Sequence, residues 1–337
     1  MSGVSRINQM DAVKAHWHLA PDIAINDVTL REGDQTLAVP FTVEDKLLIA
    51  RALDALGIQQ IQAGWPARKV EDQEVIRRLR NTGMRAKIEA IVAVYGPKWQ
   101  EDIDTTIACG PDVIDLMHPV SDIRLEIQKI SRGDVIRRVK DVVGHASGHN
   151  ILVRFAAIDA TRSDPGFLKD VASQAVEAGA QRIGLADTVG ASLPGGMAHL
   201  VREVAKTVSV PIQVHTHNDC GLAMANCLAA LEAGASILDA SVHGMGERAG
   251  NVALEELVVA LQVLYGLGLG IRSDGLFELS RLVSKITGVA VPPNKPLVGQ
   301  DVFEHKLDSH AQAGRIHPKS FEAIGPDVVG RRRPPAS

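Results

Sequence analysis

Several things this chain lacks narrow its identity before any motif is considered. No apolar run is long enough to cross a bilayer, and the stretch from Met1 to Pro21 has no unbroken apolar core of the signal-peptide kind. No membrane association is therefore expected, and a cytoplasmic location is. Cysteine is scarce: Cys109, Cys220 and Cys227 make an odd count without metal-type spacing, which argues against a disulfide scaffold and fits reduced thiols used for packing. No segment carries a basic stripe and the net charge is only -4, so nucleic acid is not an expected partner. No glycine-rich fingerprint follows the first strand, which removes the main support for a doubly wound dinucleotide-binding sheet.

What is present is an ordinary globular composition, 45% hydrophobic and 23% charged over 337 residues, enough for one large domain and an appendage. Strand-like runs are predicted over residues 23–28, 60–63, 88–94, 113–117, 151–155, 182–186, 212–215 and 237–242. Helical segments are predicted between and after them, over 43–56, 70–81, 98–108, 125–143, 166–178, 196–207, 222–233 and 252–265. Strand and helix alternating eight times over roughly 240 residues is the pattern of an α/β (β/α)₈ TIM barrel. The expected organisation is a barrel over 22–270, a small, mostly helical C-terminal subdomain with its linker over 271–330, and flexible termini at 1–21 and 331–337.

The chemistry centres on Val214-His215-Thr216-His217-Asn218-Asp219, at the end of the seventh predicted strand. Side chains two apart on a strand share a face, so His215 and His217 can reach one point, either as metal ligands or as two hydrogen-bonded histidines. The active end of a parallel barrel is the carboxyl end of its strands. There the first strand delivers Thr29-Leu30-Arg31-Glu32-Gly33-Asp34-Gln35 and the eighth delivers the glycine-rich run His243 to Asn251. Glu32 beside the two histidines makes a two-imidazole, one-carboxylate set with open positions, to which Asn251 is a candidate fourth ligand. A salt bridge at the barrel rim is the competing explanation for Arg31 and Glu32.

Those three motifs, with Pro293-Asn294-Lys295-Pro296-Leu297-Val298-Gly299, resemble the homocitrate synthase / 2-isopropylmalate synthase family from about Asp22 to Arg333. The resemblance implies a divalent-metal-dependent acyltransferase that condenses acetyl-CoA, as co-substrate, with a 2-oxo acid to give a 2-substituted malate and CoA. It implies Glu32, His215 and His217 as metal ligands with Asn251 as a weaker fourth, and leaves the metal open among Mg, Mn, Zn and Fe. Arg31 matches the arginine beside the substrate carbonyl, and His310 the catalytic histidine that the appended subdomain supplies, usually to the partner of a homodimer. Gln35 and Thr188 are further expected substrate contacts. A carbon–carbon lyase of the hydroxymethylglutaryl-CoA lyase type is the competing class, but its loop cysteine is absent from His243–Asn251.

Three departures from the family pattern stand near the reaction: Gln62 and Ile158 replace glutamates, and Phe321 replaces a tyrosine. The chain also ends at Ser337, so the leucine-sensing domain of many isopropylmalate synthases is not expected. Arg154, a lone charge in the run Ile151 to Ala156, needs an anionic partner. Either it pairs with a barrel carboxylate such as Asp115 or Asp187, or it clamps a second acidic group on the substrate. The arginine matches the one homocitrate synthases use for the distal carboxylate of 2-oxoglutarate, and loss of two glutamates makes the site less negative. The expected substrate is therefore a 2-oxo diacid, 2-oxoglutarate or oxaloacetate first, then a phosphono- or phosphinopyruvate, ahead of the isopropylmalate and citramalate synthase substrates.

Overall fold

The computed structural model describes residues 4–332 except positions 38 and 40. Eight parallel strands close into one barrel in sequence order, β1 (Ala24–Asp27), β2 (Gln60–Gly64), β3 (Lys87–Ala93), β4 (Val113–Pro119), β5 (Leu152–Ile158), β6 (Arg182–Asp187), β7 (Ile212–Thr216) and β8 (Ile237–Ala240). After a helical turn α1 (Asp11–Lys14), the surrounding helices are α2 (Val43–Leu56), α3 (Val70–Arg80), α4 (Trp99–Ile107), α5 (Asp122–Gln128), α6 (Arg132–Ser147), α7 (Pro165–Glu177), α8 (Pro194–Ala205), α9 (Ala223–Glu232) and α10 (Leu254–Val259). The TIM barrel read from the alternation is the observed fold.

Period-2 alternation decides what fills the barrel. Ile25, Ile61, Ile88, Ile114, Val153, Val214 and Leu238 belong to the apolar cluster shared with the helices. Their strand neighbours Asn26, Gln60, Gln62, Glu89, Asp115, Arg154, Gln213 and Asp239 are also buried but face the other way, and bond to one another across the interior. Arg182 on β6, for example, donates to Gln60 on β2 and to Gln213 on β7, each at 2.9 Å. Barrels are commonly filled by layers of branched aliphatics; this one holds a polar network.

Helix boundaries follow local signals. Thr42 and Asp45 form a reciprocal capping box at the start of α2, and Gly57 ends it with φ 88° where a Cβ would come 2.8 Å from the Gly270 carbonyl oxygen. The single helix expected over 125–143 is two. Lys129 takes a left-handed conformation at φ 55°, and Ser131 with Asp134 then caps α6 afresh, so the chain turns between α5 and α6. The helix expected over 252–265 is α10 followed by a wider turn, Ala260–Leu264, in which the hydrogen bonds span one residue more.

Parts of both terminal segments make contacts with the rest of the chain. Trp17 packs on Tyr265 with ring centroids 4.9 Å apart, and the His18 amide donates to the Glu232 carbonyl at 2.8 Å, which ties the lead to the barrel. Arg331 donates to the Gln300 carbonyl and lies over Phe277 and Phe303; the rest of the expected flexible tail, 333–337, lies outside the described residues. Part of the segment after 271 packs on the barrel. Helix α11 (Leu276–Thr287) packs on α2, and its Leu276, Leu279 and Val283 belong to the barrel's own apolar cluster. Helix α12 (Asp308–Ile316) buries no residue within the chain.

Candidate active site

Directly after β1 the backbone curls into a turn, with the amides of Arg31 and Glu32 both donating to the Val28 carbonyl, which aims the Glu32 carboxylate back over the barrel mouth. His215 on β7 and His217, one residue past its end, meet as their spacing suggested, with ring centroids 4.9 Å apart and Nε2 atoms 3.2 Å apart. His217 Nε2 lies 3.8 Å from Glu32 Oε1, and one ligand atom from each of the three residues falls within 4.8 Å of the others. All three are buried.

Electrostatics leave this set ready for a cation. His215 Nδ1 stands 3.2 Å from Asp239 Oδ2. A proton on that nitrogen leaves the Nε2 lone pair facing Glu32 and His217. Burial, together with His215, lowers the His217 pKa to about 4, so its ring is neutral at pH 7. Although burial pushes the Glu32 carboxyl up, the Arg31 guanidinium beside it holds it down at about 2. Two imidazoles and a carboxylate converging on one point fit a divalent cation. Asn251 stands beside them, bridged through its backbone to His217, but its side-chain oxygen accepts from Ser241 at 2.8 Å and its amide donates to the Met245 carbonyl at 3.1 Å. The glycine-rich loop has a packing reason: a Cβ on Gly246 would come 2.8 Å from Glu32 Cγ, and one on Gly250 would collide with the Gly244 carbonyl.

Around the set lies a cavity of about 300 Å³. Arg31, Glu32, Gln35, Arg154, Thr188, His215 and His217 all line it, so the mouth gathers seven residues singled out from the sequence. Thr188 accepts from the Asp159 amide at 2.8 Å, which leaves its hydroxyl proton free for the cavity. Arg31 pairs with Glu32 and donates to the Gln62 side-chain oxygen. His310 is not at the mouth of its own chain. It sits on α12, stacked on Phe321 with ring centroids 4.0 Å apart and nearly parallel, which puts Phe321 beside it as expected.

Of the two readings offered for Arg154, the pair with a barrel carboxylate is the one observed, with Asp115 as one partner. Its guanidinium lies on the cavity floor with three carboxylates around it, Asp115 at 3.1 Å, Glu89 at 3.3 Å and Asp239 at 3.4 Å, and a Cβ on Gly184 would come 2.7 Å from its Nε. Asp187 is not among its partners, since it accepts instead from Thr161 and the amides of Ala191 and Ser192. The floor is therefore not stripped of negative charge by Gln62 and Ile158, because Glu89, Asp115 and Asp239 supply it. Burial, and Glu89 beside it, lift the Asp115 pKa to about 7 against the pull of Arg154. Gln62 has a reason here too: its amide donates to Glu89 at 2.9 Å while its oxygen faces Arg31. Glu89 and Asp239 were missed, although each is a lone charge in an apolar strand, the signal that marked Arg154. Arg124, also on the cavity wall, gave no such signal because it lies on a helix at the rim.

A closed β/α barrel with a two-histidine, one-carboxylate set and an arginine at the carboxyl ends of its strands has the form of a β/α-barrel enzyme with a candidate divalent-metal site. More particularly, the chain belongs to the HMGL-like family, whose model matches residues 22–283. It is 40% identical over 316 residues to the homocitrate synthase AksA of Methanopyrus kandleri, covering 94% of this chain and 79% of that one. It is 42% identical over 315 residues to a probable 2-isopropylmalate synthase of the same organism, covering 93% of this chain and 62% of the relative's length. Among solved structures, the HMG-CoA lyase of Bacillus subtilis superposes with a TM-score of 0.71 at 19% identity, over 81% of this chain and 96% of that one, a likeness of fold alone.

Proposed function

We propose that this enzyme condenses acetyl-CoA with a 2-oxo diacid, water being consumed as the thioester is hydrolysed, to give a 2-substituted malate and free CoA. Glu32, His215 and His217 would hold the divalent ion, with Asn251 beside them. Such an ion, when bound, supplies Lewis acidity toward the oxo acid's carbonyl. Arg31, fixed by Glu32 and Gln62, donates to the oxygen that gains negative charge as the new carbon–carbon bond forms. Thr188 and Gln35, both lining the cavity, orient the substrate. His310 takes the methyl proton of acetyl-CoA, and because it lies outside the cavity of its own chain it does so in that of a second copy.

The observation that carries the diacid is Arg124. Arg154 is already matched by three carboxylates, so a further anion at the cavity floor would meet net negative charge. Arg124 is held only by a 3.7 Å ion pair to Asp159, a carboxylate that Arg162 already binds through two hydrogen bonds of 2.8 and 2.7 Å. Its Nε is buried with no hydrogen-bond partner. A carboxylate or phosphonate at the far end of the oxo acid satisfies that nitrogen through paired hydrogen bonds. The apolar wall of Ile91, Met117 and Ile158 favours a second reading, a branched oxo monoacid.

The test follows thiol release from acetyl-CoA with oxaloacetate, 2-oxoglutarate, phosphonopyruvate and 2-oxoisovalerate. Arg124→Gln should lower kcat/KM for the preferred diacid by about one to two orders of magnitude, the cost of about 1.5–3 kcal/mol for losing a hydrogen bond to a charged group, and leave any monoacid rate unchanged. Preference for 2-oxoisovalerate with no effect of Arg124→Gln would overturn the diacid and favour the monoacid. Cleavage of a 3-hydroxyacyl-CoA without substrate-dependent thiol release would overturn the condensation itself.

A further inference from the structure

Away from the mouth, one other set of donors among the described residues brings three ligand atoms within 4.8 Å of one another: Asp104, His145 and His149. Asp104 lies in the last turns of α4 and His145 in the last turn of α6, and the two helices pack side by side. Past the end of α6 the backbone stays helical through Gly148, at φ −66° and ψ −11°, and the His149 amide donates to the Ala146 carbonyl. His149 therefore stands one turn beyond His145 on the same side. Their Nε2 atoms both face Asp104 Oδ1, at 2.7 Å from His145 and 3.9 Å from His149, with ring centroids 5.3 Å apart.

A plain surface ion pair accounts for His145 and Asp104 but not for His149. Its nitrogen is directed at the same oxygen from beyond hydrogen-bond distance. Bond lengths of about 2.0–2.1 Å to nitrogen and oxygen in a tetrahedral site put neighbouring ligand atoms about 3.3 Å apart, and 2.7 and 3.9 Å lie on either side of that. We propose that Asp104, His145 and His149 form a second metal site, which takes a zinc-, nickel- or copper-class divalent ion and leaves a position for water. Two imidazoles and one carboxylate favour those ions over magnesium or calcium, which prefer oxygen ligands throughout. The site is at the opposite end of the barrel from the catalytic set, because α4 and α6 end where β4 and β5 begin. An ion there ties α4 to α6.

Trp99, the first residue of α4, supplies an independent reporter, with its ring edge-on to His145 at a centroid distance of 5.7 Å. Equilibrium dialysis of the full chain, first stripped with a chelator, should find two zinc ions per chain. His149→Ala and Asp104→Asn should each retain one, with affinity at the second site lowered at least tenfold and condensation activity unchanged. His217→Ala should also retain one, the ion at Asp104. Nickel should quench a component of tryptophan emission that disappears in Trp99→Phe and in His149→Ala but persists in His217→Ala. The component from Trp65, which lines the catalytic cavity, should behave in the opposite way. One ion per chain in the parent protein, a second ion unaffected by both surface changes, or binding only at millimolar metal would each overturn the proposal.

Discussion

Replacing Gln62 with the glutamate of the family pattern should damage this protein, and the damage should be reversible by one further change. Gln62→Glu would set a carboxylate where an amide now donates to Glu89 at 2.9 Å, inside the barrel. Two ionised groups at that distance repel by about 6 kcal/mol at an effective dielectric of 20. Uptake of one shared proton limits the cost, because raising a carboxyl pKa from about 4.3 to 7 requires only about 4 kcal/mol. Arg31 offsets about 1–2 kcal/mol, since its bond to residue 62 becomes charge-assisted on both sides. Gln62→Glu is therefore expected to lower unfolding free energy by about 2–3 kcal/mol at pH 7. Adding Glu89→Gln restores an amide–carboxylate pair with the roles exchanged, and Arg154 keeps Asp115 and Asp239. Denaturant unfolding of the parent, both single variants and the double variant measures the coupling, expected at about 2 kcal/mol or more. The shared proton raises the pair's folded pKa above its unfolded value, so the loss should shrink as pH falls toward 5. Single effects that add to within about 0.5 kcal/mol, or a loss independent of pH, would refute the reasoning.

Asp115 gives a related pH test. Its folded pKa of about 7 lies above the ordinary value of 3.8, so the folded state binds the extra proton between those limits and the parent loses stability as pH rises through 7. Asp115→Asn removes that titration, so its melting temperature relative to the parent should be higher at pH 8 than at pH 6; an equal difference at both pH values would be inconsistent with a proton held there. His217→Ala should abolish turnover and catalytic-site metal binding while leaving the circular dichroism spectrum of the barrel intact, and retention of both metal and activity would remove the site assignment. Mixed dimers of Glu32→Ala with His310→Ala should regain activity that neither variant has alone; verified heterodimers without recovery would put the base within one chain.

The barrel was legible because its two periodicities alternate cleanly. The run predicted over 212–215 became Ile212–Thr216, and the helix predicted over 43–56 is Val43–Leu56. His215, His217 and Glu32 were legible because strand geometry and barrel architecture fix where such residues meet. What failed was reading charge one strand at a time. Asp115 was legible as a partner of Arg154, but Glu89 and Asp239 reach it from β3 and β8, and the closing of the sheet that joins them leaves no local trace. The break at Lys129 was missed for a similar reason: residues 125–143 keep helical composition through it, and the signal lay in Ser131 and Asp134, three apart, where a new helix is capped.

That break makes the rim modular. Helix α6 starts from its own capping box and buries Val135, Val139, Val142 and Val143 against the barrel, whereas α5 buries only Leu125 and carries Arg124 to the cavity. The segment proposed to meet the far end of the substrate can thus be varied at its exposed positions while Ser121, bonded to Asp159, and Leu125, in the apolar cluster, keep their places.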